Sequence, residues 1–412
     1  MSENNKDRFV TVTDTPRTAF PLHARPLLWL LIAVAALSFI TGLFLSHALV
    51  LEAHWPSYAD MVGHFEQPGA WLRWGIGDIS EFAFFKHEFP AIGLLMGAGL
   101  AWWANATGKR WQGFAIAYGT GRWPWLVTSS LLSLLLSNLL WGWTLDADTW
   151  QPTFVVFVSL PAAMVLLYGP GWKVALNGAV LGAVLVTPAS LILVNFVCAP
   201  WNIPVVVGAV SGMAMASTVA FILCRWFPML VSAPQPDTVP PLPSPAPNYG
   251  LVWGIRRVLA DFSEAPFFGN ELASLGLLAG VLLAWYLNPE SPVYGTGLLM
   301  PILAGQVLTS AIGIYLWRGH WMSAGWYPTY IPLVSVVPAA VLTHGGSPLV
   351  VALSAVLGAL VAPPLASGLA GKLPGWMHPF VANVLSMAIS TGLIVPFIGL
   401  LIVASACTVG YL

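Results

Sequence analysis

Charge is what this sequence has least of: 8% of its 412 residues are Asp, Glu, Lys or Arg, against about 25% in ordinary soluble domains. So small a stock cannot cover a water-exposed surface, which excludes a soluble globular fold. Cysteine is nearly absent too. Cys198, Cys224 and Cys407 are scattered without CxxC spacing, so a disulfide framework and a thiolate metal site are both excluded. The histidines form no HExxH arrangement, and no Walker A glycine loop occurs. A catalytic metal and a self-contained ATP-driven pump are therefore not expected, and the chain reads as a non-enzyme without a cofactor. A formal net charge of −1 gives no electrostatic footprint for nucleic acid.

What is abundant is apolar: 58% of residues are hydrophobic. Runs such as Leu28 to Val50, Gly93 to Trp103, Leu126 to Trp143 and Leu385 to Ala404 recur, several near the ~20 residues that span a hydrocarbon core. In lipid the backbone must pair with itself, which leaves helices or a closed barrel. Barrel strands alternate in polarity and these runs do not, so the fold class is all-α and polytopic. The polar N-terminus lacks a small-residue cleavage site after its apolar run, which reads as a retained first helix.

The spacing predicts eleven helices, at 27–50, 82–104, 122–144, 152–169, 174–196, 203–226, 267–287, 294–317, 327–344, 348–370 and 378–405. With the N-terminus cytoplasmic, 13 of the 15 basic residues fall inside and only Arg73 and Lys86 outside, as the positive-inside rule prefers. That orientation puts the C-terminus outside, in a plasma or bacterial inner membrane. The Pro-rich stretch Pro228 to Pro247 reads as an extended linker. The organisation expected is a cytoplasmic tail 1–26, a membrane half 27–227, a cytoplasmic linker 228–250 and a second membrane half 251–412.

The halves are related. Asp78 to Trp102 (DISEFAFFKHEFPAIGLLMGAGLAW) aligns without gaps on Asp261 to Trp285 (DFSEAPFFGNELASLGLLAGVLLAW), with 13 of 25 positions identical. YGTG recurs at Tyr118 to Gly121 and Tyr294 to Gly297, and W-x-P-T at Trp150 to Thr153 and Trp326 to Thr329. Five predicted helices separate each feature from its copy, and an odd number reverses the direction of travel. The expected plan is thus one extra helix followed by two inverted-topology five-helix repeats, with broken or re-entrant segments.

The duplicated D-x-S-E-x-x-F-F-x-x-E motif holds six of the 16 carboxylates. Its candidate site residues are Asp78, Ser80, Glu81 and Glu88 in one copy and Asp261, Ser263, Glu264 and Glu271 in the other. On a continuous helix each set would form one acidic stripe, but Pro90, Pro266, Gly269 and Asn270 favour a break. Buried carboxylates suit proton carriage, and carboxylate, hydroxyl and carbonyl oxygens suit Na⁺. Asp78/Ser80 and Asp261/Ser263 equally suit capping of helix starts at the interface. Tyr118, Gly119, Thr120 and Gly121, with Tyr294, Gly295, Thr296 and Gly297, can present unwound backbone or form plain helix-start turns.

Inverted repeats recur in secondary transporters. The expected function is movement of a small polar or organic solute, coupled to H⁺ or Na⁺ through the duplicated carboxylates. The alternative is a passive channel for a small neutral solute. The five-helix plan resembles urea and ammonium channels, and FFKHEFPAIGLL resembles the Phe/Asn/Pro/Gly stretch of urea transporters, but the double-Asn signature is missing. An intramembrane enzyme is a third reading that no nucleophile–base set supports. Expected partners are the solute, the bilayer, H⁺ or Na⁺ and a second copy of the chain.

Overall fold

Proline and serine cut the apolar stretches into helices of unequal length. The computed structural model describes residues 54–231 and 249–409, all-helical with no strand among them. The predicted helix 27–50 and most of the Pro-rich linker lie outside the described residues. Pro68 opens a ten-residue helix, α1 (Pro68–Gly77), where its missing N–H costs nothing. After a break, α2 (Glu88–Ala106) starts at His87, whose ring accepts from the Phe89 N–H. A 3₁₀ turn at Ile116–Gly119 leads into α3 (Trp123–Trp141). A second turn at Thr153–Val156 leads into the short α4 (Leu160–Tyr168). Next come α5 (Trp172–Trp201), which runs through two π turns, and α6 (Val205–Trp226).

From residue 251 the order recurs: α7 (Leu251–Asp261), α8 (Glu271–Leu287), a turn at Val293–Gly295 and α9 (Leu299–Leu316). A short α10 (Arg318–Ala324) has no counterpart helix in the first half. A turn at Ile331–Val334, α11 (Val336–His344), α12 (Pro348–Ala370) and α13 (Phe380–Val409) complete the chain.

Polarity is distributed as lipid demands. Large side chains such as Met96, Leu139 and Leu400 face outward, while serines and threonines are buried and tie helices together through carbonyls. Ser133 Oγ donates to Ala179 O at 2.8 Å between α3 and α5, and Thr309 Oγ1 to Ala355 O at 2.9 Å between α9 and α12. Trp141 Nε1 reaches Ala183 O at 2.8 Å, and Trp317 Nε1 reaches Ala359 O at 2.9 Å. Among the described residues, α3, α5, α6, α9, α12 and α13 are each long and apolar enough to cross a membrane. The chain has the make-up of an α-helical integral membrane protein.

At the centre α2 packs on α8 through glycine. A Cβ on Gly93 would collide with the Gly276 carbonyl, and one on Gly276 with the Gly93 carbonyl. Gly97 meets the Leu272 carbonyl as Gly280 meets that of Phe89. Contact positions rise along α2 as they fall along α8, so the two helices run antiparallel. Residues 183 apart exchange partners across this contact.

Several predicted helices are shorter than their apolar runs. The one placed at 82–104 starts at Glu88, and the one at 267–287 starts at Glu271. Those at 152–169 and 327–344 are each interrupted before a serine-started helix. There Ser159 (φ −136°, ψ −127°) and Ser335 (φ −144°, ψ −78°) leave helical geometry. Their hydroxyls take back freed carbonyls, Ser159 Oγ to Val155 O at 2.6 Å and Ser335 Oγ to Ile331 O at 2.7 Å. Helix α12 coincides with the predicted 348–370.

Candidate functional site

The duplicated motif forms the break between α1 and α2 and again between α7 and α8. Each break reverses through a phenylalanine in left-handed backbone, Phe84 at φ 67° and Phe267 at φ 63°, at a cost of about 1–2 kcal/mol per residue. Serine staples hold the turn. Ser80 Oγ donates to His87 O at 2.9 Å and accepts from His87 N at 3.2 Å. Ser263 repeats this with Asn270, at 2.9 Å and 3.0 Å. Both serines therefore hold backbone in place.

The second tie comes from the opposite half. Val293 N donates to Phe85 O at 3.1 Å, and Ala117 N donates to Phe268 O at 3.2 Å. These donors sit just before the two YGTG segments. Tyr118, Gly119 and Gly121 have φ of 57°, 71° and 71°, and Tyr294, Gly295 and Gly297 of 56°, 73° and 70°. Thr120 Oγ1 and Thr296 Oγ1 turn back to Ala117 O and Val293 O at 2.9 Å and 2.8 Å. Each segment thus caps the break of the other half. Its tyrosine faces that half's first glutamate, Tyr294 with Glu81 and Tyr118 with Glu264.

Inside each break, one cation joins an Asp and a Glu. In the first half Lys86 Nζ contacts Asp78 Oδ1 and lies 2.7 Å from Glu81 Oε2, with all three side chains fully buried. Trp74 lies under the ammonium, 3.4 Å from the ring centroid. Asn138 Nδ2 donates to Asp78 Oδ2 at 2.8 Å, and Trp150 Nε1 donates to Glu81 Oε1. In the second half Arg257 Nη2 is 2.9 Å from Asp261 Oδ1 and also contacts Glu264 Oε2. Ser310 and Thr329 hydroxyls donate to Asp261 Oδ2 at 2.7 Å and 2.9 Å, and Trp326 Nε1 to Glu264 Oε1 at 2.7 Å. With carboxylates ionised, each set carries one surplus negative charge. Burial makes such a surplus costly.

Glu88 and Glu271 stand apart from these sets, so the single acidic stripe of a continuous helix does not form. Each lies in the first turn of its helix, where the dipole favours a carboxylate. Arg73 Nε reaches Glu88 Oε1 at 2.7 Å, and Arg256 Nε reaches Glu271 Oε1 at 2.8 Å. Trp55 Nε1 holds Glu88 as well, at 2.8 Å, while the Phe114 N–H holds Glu271.

Between the halves lies a cavity of about 330 Å³. Phe84 and Phe267 both line it, with Phe154, Tyr330, Val158 and Val334 from the interrupted crossings. Glu81, Trp150, Tyr58 and Tyr294 form its polar end, and Ala147, Asp148 and Thr149 its rim. Glu264 does not line it. The cavity thus touches equivalent phenylalanines of both halves but the carboxylate of one.

The sequence puts Lys86 at the outer end of the helix expected over 82–104 and Arg257 in a cytoplasmic connection. Lys86 is instead buried in the first break and Arg257 on α7 beside the second, because two carboxylates apiece replace the water they give up. Arg73 and Arg256, also assigned to connections, lie on the short helices α1 and α7. Trp150 and Trp326 were read as part of W-x-P-T without a partner; each supplies an N–H to a motif glutamate.

Fold and site together define an α-helical membrane protein with paired, charged helix breaks around a central cavity. Neither a protein family model nor a curated protein matches the sequence.

Proposed function

We propose that this chain is a secondary transporter of a small polar or organic solute, with the central cavity as its binding site and the duplicated carboxylates coupling movement to H⁺ or Na⁺. One observation carries the reading: the cavity is walled by Phe84 and Phe267, the turning points of both breaks, yet reaches only Glu81 of the two equivalent glutamates. A site shared by two related halves supports this reading, because alternating access moves one half against the other around such a site. A passive channel for a neutral solute would have a path past both sets.

The architecture proposed is two inverted five-helix repeats preceded by one further helix. The reciprocal, antiparallel Gly93–Gly276 contact supports it, because a two-fold axis perpendicular to antiparallel helices lies in the membrane plane. Six long helices, α2, α8 and the interrupted crossings Thr153–Tyr168 and Ile331–His344 supply ten passages; residues 27–50 would supply the eleventh. The basic residues support a cytoplasmic N-terminus and an external C-terminus in a plasma or bacterial inner membrane. In that orientation the rim at Asp148 opens to the outside.

Purified protein in proteoliposomes tests the reading. Solute uptake above equilibrium under an imposed H⁺ or Na⁺ gradient is the expected result. Equilibration indifferent to either gradient would replace the carrier with a channel, and absence of flux for any solute class would remove transport altogether.

A further inference from the structure

The walls of the cavity specify the charge and character of what it holds. Of the described residues lining it, nine are aromatic, and the only charged ones among them are Glu81 and Asp148. No Lys, Arg or His among the described residues lines it. Behind Glu81 lie Asp78 and Lys86, and with both carboxylates ionised the set has one uncompensated negative charge. An anion entering would meet like charge where little water screens it, and a neutral polar solute would find few partners along walls of Phe, Val and Met. An organic cation is satisfied on both counts. Its charge neutralises the set, and its body rests on ring faces, which attract cations through their quadrupoles.

We propose that the solute is a monovalent organic cation, an amine or quaternary ammonium with an aromatic or branched aliphatic body. The charged head sits at the Glu81, Tyr58 and Tyr294 end and the body lies against Phe84, Phe154 and Phe267. The second half contains the comparison within the same molecule. Asp261, Glu264 and Arg257 would carry the same surplus charge with their carboxylates ionised but border no part of this cavity, so of the two equivalent sets only the first faces the head. This assignment rests on the transporter reading, whose failure shows separately.

The test uses three probes of similar shape on the wild-type protein: benzyltrimethylammonium, phenylacetate and benzyl alcohol. Binding to detergent-solubilised protein is followed by calorimetry and by quenching of tryptophan fluorescence, for which Trp150 lies at the polar end. The expected result is saturable binding of the ammonium alone, weakened at least about tenfold by Glu81→Gln, as loss of a charged partner implies. Equal or stronger binding of phenylacetate or benzyl alcohol overturns the assignment, and so does absence of ammonium binding to folded wild-type protein. Because the probe comparison needs no variant, a misfolded Glu81→Gln leaves it decisive. Uptake of the same probes, radiolabelled, is then followed in proteoliposomes under an imposed H⁺ or Na⁺ gradient. Ammonium that binds but drives no flux keeps the solute class and refutes transport; flux driven by another class keeps transport and refutes the solute class.

Discussion

Lys86 and Arg257 serve equivalent Asp–Glu pairs from non-equivalent positions. At the offset of the gapless alignment, continued four residues before it, Arg257 stands opposite Trp74, and within it Lys86 stands opposite Gly269. The first half sends its cation from the C-terminal side of the break onto a tryptophan ring. The second sends it from α7, and Gly269 leaves the room, since a Cβ there would press on Glu264 Oε2. Lys86→Gly alone leaves two buried carboxylates without a cation and is expected to destabilise by about 3–5 kcal/mol. Combined with Trp74→Arg it copies the second half, where Thr329 donates to Asp261 while its counterpart Thr153 accepts from Trp74. The double variant is expected to unfold at a higher temperature in detergent than Lys86→Gly; an equal or lower midpoint would show that the two arrangements are not interchangeable.

Coupling should depend on Glu81 and not on Glu88. Glu81→Gln removes the surplus charge at the cavity and is expected to abolish gradient-driven accumulation. Glu88 is paired with Arg73 outside the cavity, so Glu88→Gln is expected to lower protein stability while accumulation still follows the gradient. Uptake per folded molecule, measured with and without the gradient, separates the two. Loss of gradient dependence in Glu88→Gln would move the coupling site to the helix start.

The contact between α2 and α8 should not tolerate a methyl group. In Gly93→Ala the new carbon meets the Gly276 carbonyl, so the helices must part, at about 1–3 kcal/mol or more for overpacking. Gly99→Ala, on the same helix, meets nothing closer than the Trp123 ring at 4.0 Å and should be neutral or slightly stabilising through helix propensity. Thermal midpoints of the two variants in one detergent provide the comparison. Equal midpoints would contradict the close approach.

Trp326→Phe keeps an aromatic ring, though a smaller one, and removes the N–H that reaches Glu264. An acceptor left short of a partner costs about 1–3 kcal/mol. Chemical or thermal unfolding reads that loss, and an unchanged midpoint would mean that Glu264 recruits another donor.

The paired motif, the break within it and the half-to-half correspondence were legible in the sequence because they rest on identities at fixed offset. Phe84 with Phe267 and Gly93 with Gly276 are examples. The cations were not legible for the converse reason: alignment of the copies sets Lys86 against glycine and Arg257 against tryptophan, so no identity marks them. Charge balance held the missing signal, since each copy has an Asp and a Glu that need one buried cation. The short helices α1 and α7 were missed because ten or eleven residues do not span a bilayer, and basic residues near a span read as loop by the positive-inside rule. The interruptions at Ser159 and Ser335 left no polar mark, as a serine inside an apolar run serves equally as an interhelical donor.

The glycine contact bears on how such a chain could arise. A surface across which equivalent residues exchange partners is the kind two identical molecules share. A gene for one half alone could therefore build the same centre by pairing two copies threaded in opposite directions, and fusion would then free each copy to diverge. The lysine on one side and the arginine on the other are differences of that kind, each pairing with the carboxylates of its own half.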